Sequence, residues 1–368
     1  MSTPPPTAAR HAVITGTGSY VPPRVVTNAE LSAQLGTDID DFVRNTLGIH
    51  ERRWCGPDES TADLAVEAAR RALAAAGLGP EELDLVIVAT DTPEYVSPPT
   101  SSVVQGRLGA TNAGTFDVNA GCAGFVTAHD VAWKYVRADE HYDRVLVVGA
   151  YAMSKFLDPQ DKKTVTIFAD GAGAAVVERA DRPGVLASEF FADGRLEAGM
   201  GVFAGGTAEP ITEAVLRDGT RNRLRFVRKY PAEVNEVGWP RIARSVLARA
   251  GRTVADVDLW LWTQVNRSTI EAVMATLGAP MARAHTVMDK WGYTGSACLP
   301  MALDDAVRAG RLREGDLVLF TGSGAGLAMA CVAMEWRPAA PGSRLSATAP
   351  AVAESREPRA ESLESPHA

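Results

Sequence analysis

Short apolar runs and longer amphipathic stretches alternate along most of this chain. LVIVA at 85–89 and VLVV at 145–148 carry no polar alternation and are bounded by polar residues, which predicts strands covered on both faces. STADLAVEAARRALAAAGL at 60–78 has apolar residues at helical spacing, with Ser60 placed to cap its start and Gly77 to end it. GFVTAHDVAWKYVRA, from Gly124, has the same periodicity. Strands that alternate with helices predict parallel pairing and an α/β fold. The two ends do not follow this pattern. Residues 1–10 and 338–368 are rich in Pro, Ala, Ser and Thr and poor in bulky apolar side chains. They bury too little surface to offset their ordering entropy, so both are expected to be disordered.

The pattern also repeats. LDLVIVAT begins at Leu83 and VDLWLWTQ at Val257; GCAG begins at Gly121 and GSAC at Gly295. Asp130 and Asp304 stand at matching places in the helices that follow, and DRVLVVGA and GDLVLFTG recur at nearly the same offset. Such self-similarity predicts two fused copies of one α/β unit. The halves are expected over 11–180 and 221–337, with a connecting insertion over 181–220. A duplicated unit has a pseudo-twofold axis, so the turns around Cys122 and Ser296 should face each other across a cleft.

Composition narrows the function. The net charge of −8 disfavours a nucleic-acid partner. No apolar run approaches the roughly 18 residues that span a membrane, and the first residues lack the pattern of a secretory signal. Cys55, Cys122, Cys298 and Cys331 are scattered with no CxxC pair, which argues against a zinc site or a disulfide framework and for a reducing cytoplasm.

DVNAGCAGFV, 117–126, carries the candidate chemistry. A thiol at a helix N-terminus meets orphan N–H groups and the positive end of the helix dipole, and both favour the thiolate. Gly121 and Gly124 permit a sharp turn and close approach of a substrate. A cysteine is equally at home as a small buried hydrophobe, and that is the better description of Cys55, Cys298 and Cys331.

DVNAGCAGF strongly resembles the nucleophile motif of the ketoacyl carrier-protein synthase III family. ITGTGSYVPPRVVTN, FVRNTLGIHERRW, TIFADGAGAAVV, WGYTGSACLPMALDDAVRAGRL and GSGAG follow in the family's order over about 11–337. The resemblance implies a thiolase-like fold of two βαβαβαββ halves in a five-layered αβαβα arrangement. It also implies a homodimer, in which TPEYVSPP resembles the loop that reaches the partner's pocket. It implies the backbone N–H of Ala325 as an oxyanion donor beside that of Cys122. Phe42 and Lys162 fall at substrate-binding positions, with Gln264 and Asn266 beside the second-half turns. No cofactor and no metal are implied. The acyl thioester of carrier-protein phosphopantetheine or of coenzyme A would be the substrate.

The family's histidine and asparagine are replaced. Their positions are Thr263, in WTQVN, and Tyr293, in WGYTGSA. Those two residues stabilise the enolate released when a malonyl group loses carbon dioxide, and losing one oxyanion donor typically costs 100-fold or more. Acyl transfer needs no enolate. The expectation is therefore an acyltransferase of secondary metabolism. Cys122 would take an acyl group from a carrier protein or coenzyme A and pass it to a carrier, hydroxyl or amine. Arginines at 221–228 and 241–249 would offer a basic face to an acidic carrier. No histidine is expected to replace the missing one, His285 being a distant candidate, and Asp289 could orient an acceptor. Two other readings stay open: a condensing enzyme with a rebuilt site, and an inactive carrier-docking subunit.

Overall fold

The computed structural model describes residues 10–337 apart from Lys229 and Ala232. The spans 1–9 and 338–368, expected to be disordered, and Lys229 of the basic cluster lie outside the described residues. The first half runs β1 (His11–Tyr20), α1 (Thr61–Ala76), β2 (Leu85–Ala89), α2 (Thr100–Leu108), β3 (Gly114–Val118), α3 (Gly124–Ala138), β4 (Arg144–Ala152) and β5 (Asp170–Ala180). The second runs β6 (Val185–Ala192), α4 (Glu233–Arg249), β7 (Val257–Trp262), α5 (Arg267–Leu277), α6 (Cys298–Arg308), β8 (Leu317–Gly324) and β9 (Ala328–Glu335).

The first sheet has the order β1-β5-β4-β2-β3, with β2 parallel to both β3 and β4. The second has the order β7-β8-β9-β6, with β7 parallel to β8. Helices α3 and α6 pack against strands of both sheets and form the central layer. Helices α1 and α2 cover the outer face of the first sheet, and α4, with α5 packed beside it, that of the second. This is the five-layered αβαβα arrangement of the thiolase fold. The duplication is incomplete: where the first half has β3, the second has one isolated bridge between Trp260 and Ala284.

The expected domain boundary needs correction. β6 lies inside the span 181–220 expected as an insertion, yet it pairs with β9 in the second sheet. The second half therefore begins near Val185, not at 221. Arg10, the last residue of the span 1–10, is tied down, donating to Val136 O at 2.8 Å and pairing with Asp143.

Local chemistry explains the elements next to the site. Ser60 and Asp63 form a capping box at α1, and Gly77 closes it in the left-handed region at φ 68°. Asp117 ends β3 by accepting from the Thr100 and Ser101 N–H groups, each at 2.7 Å. A carboxylate at that helix N-terminus is favoured by the dipole. The motif's aspartate thus anchors α2. Pseudo-symmetry persists in the central helices: Asp130 pairs with Lys134, and Asp304 with Arg308. Among the described residues no helix is long and apolar enough to cross a membrane.

Candidate active site

Cys122 sits where β3 gives way to α3. Asn119 Oδ1 accepts from Gly121 N at 3.1 Å, and Gly124 N closes the turn on Gly121 O at 2.9 Å. Gly121 has φ 52°, the left-handed region glycine occupies without strain. The loop after β8 lies directly on this turn. A Cβ on Gly324 would sit 2.4 Å from Cys122 N, and one on Gly121 would sit 3.0 Å from Ala325 N. Only glycine lets the two backbones approach this closely, and the approach brings the Cys122 and Ala325 amides to one place. The turn bearing Ser296 faces it as expected, with a Cβ on Gly124 falling 3.7 Å from Ser296 Cβ.

Cys122 lines a cavity of about 150 Å³ with Thr263, Tyr293, Ser323, Gly324 and Ala325. The site residues expected at the catalytic positions are thus brought together. Thr263 follows the end of β7, and its Oγ1 accepts from Ser323 N at 2.8 Å. Its oxygen holds the glycine loop. Tyr293 is pinned to the strand entry, its N–H donating to Ile167 O at 3.0 Å and its carbonyl accepting from Ala169 N at 2.9 Å. Its ring packs on Phe168, centroids 5.5 Å apart. The ring does carry the hydroxyl away from the backbone, but into the cavity it shares with Cys122, where it favours the anionic form of the thiol.

The expectation of a ready thiolate is corrected. Burial, with the nearby Asp91 carboxylate, pushes the Cys122 thiol well above its usual value; Tyr293 and the residue's own amide oppose this and do not win. A desolvated anion costs more than one hydroxyl and one amide return. At rest the Cys122 side chain is a thiol.

A larger cavity of about 800 Å³ leads outward and shares Phe226 and Tyr230 with the Cys122 cavity. Phe42 and Lys162 both line it, as do Lys163 and Arg228. Gln264 and Asn266, also expected to bind substrate, do not. Gln264 spends its amide on His285 O, at 2.9 Å, and on the Val287 and Met288 N–H groups. Asn266 caps α5 by accepting from Ser268 N at 3.0 Å. Both shape the wall from behind.

The histidines play other parts. His285 lies between Asp305, at 2.8 Å, and Arg311, at 3.0 Å. His129 is buried beside Phe125 and Phe320, and burial lowers its pKa to about 4. Asp289 contributes its carbonyl to His50 N. In the basic clusters, Arg221 pairs with Glu209, Arg223 donates to Leu157 O, and Arg241 stacks over Phe191. Cys298 and Cys331 are buried and pushed up to about 12.

Sequence reasoning missed the residues on the other side of the turn. Asp91 follows β2, Asn119 follows β3 and Tyr151 ends β4, and all three line a cavity of about 210 Å³. These are three adjacent parallel strands, and their carboxyl ends are where open α/β sheets bind ligands. For Asp91 the available signal was a charged residue two positions after a fully apolar strand.

The sequence profile described as 3-oxoacyl-(acyl-carrier-protein) synthase III matches residues 116–194, and the profile for the C-terminal part of that enzyme matches 247–336. An acetoacetyl CoA synthase of Streptomyces sp. is 39% identical over 330 residues, covering 88% of this chain and 98% of that protein. A beta-ketoacyl-(acyl-carrier-protein) synthase III of Caldanaerobacter subterraneus is 37% identical, with the same coverage of both chains. Among solved structures, the priming beta-ketosynthase of the R1128 polyketide pathway superposes with a TM-score of 0.82 at 33% identity, covering 93% of this chain and 99% of that one.

Proposed function

This chain belongs to the 3-oxoacyl-(acyl-carrier-protein) synthase III family, and from that premise we propose that it is an acyltransferase that does not decarboxylate. Cys122 Sγ attacks the carbonyl of an acyl thioester. The amides of Cys122 and Ala325 receive the oxyanion. The bond from carbonyl carbon to the carrier's sulfur breaks, and the Cys122 proton leaves with that sulfur, with the Tyr293 hydroxyl stabilising charge on Sγ as it builds. A carrier thiol, a hydroxyl or an amine then takes the acyl group from Cys122 in a second, equivalent exchange. The observation that carries this reading is Tyr293 in the same small cavity as Cys122, its hydroxyl favouring the thiolate. It serves the nucleophile, whereas the family's asparagine at this place serves the enolate. Thr263 in turn commits its oxygen to the glycine loop.

The outer cavity suits a phosphopantetheine arm. It is lined by Phe42, and Lys162, Lys163 and Arg228 are cations for its phosphate. This supports a carrier protein as donor, coenzyme A sharing the same arm. The priming beta-ketosynthase likeness supports a place in polyketide-like secondary metabolism. Tyr95 and Val96, 52% and 89% exposed, support a homodimer in which this loop is covered. The four free cysteines support a reducing cytoplasm. The test is intact mass spectrometry after incubation with a panel of acyl carriers and acyl coenzyme A thioesters. The wild type gains one acyl mass and Cys122→Ala gains none; no gain on the wild type from any donor sinks the proposal.

A further inference from the structure

The cavity of about 210 Å³ on the far side of the Cys122 turn is not an ordinary apolar pocket. It shares Met200 and Ala325 with the cavity that holds Cys122, so a chain attached to Sγ can enter it past the oxyanion loop. Met153, Val202 and Leu224 give it apolar walls. Three polar side chains end in it, and two have an orphaned atom. Asp91 Oδ1 is inaccessible and has no hydrogen-bond partner, and neither has the hydroxyl of the fully buried Tyr151. The two groups feel each other electrostatically. Buried polar atoms are almost always satisfied, and orphans that converge on one cavity mark the place where a ligand completes them.

We infer that this cavity is the acyl subsite and that it selects a short acyl chain carrying a hydrogen-bond donor, a hydroxyl or an amine, over a plain alkyl chain. The inference rests on the reading that Cys122 is the acylated nucleophile. Placement follows from the sheet. β2, β3 and β4 run parallel in register, so Asp91 and Asn119, just beyond the carboxyl ends of β2 and β3, emerge beside Tyr151 in the last residues of β4. Asp91 and Tyr151 offer acceptors at the floor, while Asn119 is held by its bond to Gly121 N. The volume equals that of about seven waters at roughly 30 Å³ each, which suits a chain of a few carbons. An alkyl chain would leave Asp91 Oδ1 and the Tyr151 hydroxyl unpaired; sites built around a hydrogen bond reject analogues that lack it.

The experiment loads the full-length protein with butyryl, β-hydroxybutyryl and β-alanyl pantetheine thioesters and follows acyl-Cys122 by intact mass. The wild type should load β-hydroxybutyryl or β-alanyl at least about 10-fold faster than butyryl, and which of the two wins separates hydroxyl from amine. Asp91→Leu and Tyr151→Phe should each cut that ratio several-fold. Because the readout is a ratio of donors on one preparation, partial misfolding of a variant leaves it unchanged. A wild-type preference for butyryl overturns the inference while leaving acylation of Cys122 intact, as does a ratio that neither substitution moves. Loading by none of the donors would instead strike the acylation reading itself.

Discussion

Replacing Tyr293 with phenylalanine separates its hydroxyl from its ring. The ring's contact with Phe168, centroids 5.5 Å apart, survives, and so does the backbone pairing with residues 167 and 169. The change is nearly volume-conserving, so the cost in fold stability should stay below about 1.5 kcal/mol. What is lost is the hydroxyl that supports negative charge on Cys122 against the burial and the Asp91 carboxylate that oppose it. A hydrogen bond to a charged group contributes about 1.5–3 kcal/mol. At 1.36 kcal/mol per decade, the thiolate population at a given pH should fall by about 10- to 150-fold. The assay is alkylation of Cys122 by iodoacetamide across pH 7–10, read by peptide mass. The other three cysteines serve as internal references. Tyr293→Phe should move the Cys122 curve to higher pH and slow acyl loading at neutral pH in proportion. A curve that stays in place, or moves to lower pH, would refute the role assigned to Tyr293.

Other outcomes follow from the same geometry. Gly324→Ala puts a methyl where Cys122 N stands, 2.4 Å away; acyl loading should fall at least about 100-fold, as on losing an oxyanion donor, and a variant that loads normally would show the loop is not packed as described. Thr263→Val leaves the buried Ser323 N–H without its acceptor, so denaturant unfolding should show a loss of about 1–3 kcal/mol, with Thr263→Ser restoring most of it. Burial raises the Asp91 carboxyl to about 6 from 3.8. Its protonated form is therefore favoured in the fold, and it destabilises the free protein increasingly as pH rises through 4 to 6, by up to about 3 kcal/mol. Asp91→Asn should raise Tm at pH 7 and leave it nearly unchanged at pH 4, and equal effects at both pH values would place Asp91 in water.

The helices were legible because their signals are local. Ser60 and Gly77 bracket α1 within one residue of its ends, and the repeat around Gly121 and Gly295 announced the facing turns before any coordinate did. The boundary at 221 failed because VLASEFFA, an edge strand flanked by DRPG, shows its partner only through long-range pairing with β9. Gln264 and Asn266 sat at the right places in the chain and did the wrong work, since what a side chain faces depends on the residues 285–288 that return beside it. Asp91, Asn119 and Tyr151 are far apart in sequence and meet only because β2, β3 and β4 are parallel and in register. Burial likewise reversed the thiolate argument for Cys122, since a helix terminus is visible in sequence and desolvation is not.

Cys122 is proposed to accept acyl groups in a site that has given up decarboxylation. Incubating the protein with an acyl donor and a radiolabelled malonyl thioester, and measuring acyl-Cys122 and released carbon dioxide together, tests it most directly. The expected result is acyl-Cys122 with carbon dioxide at the level of the Cys122→Ala control, and a rise in decarboxylation when Thr263→His and Tyr293→Asn are combined. Carbon dioxide released by the unaltered protein in step with turnover, with a new carbon–carbon bond in the product, would contradict it.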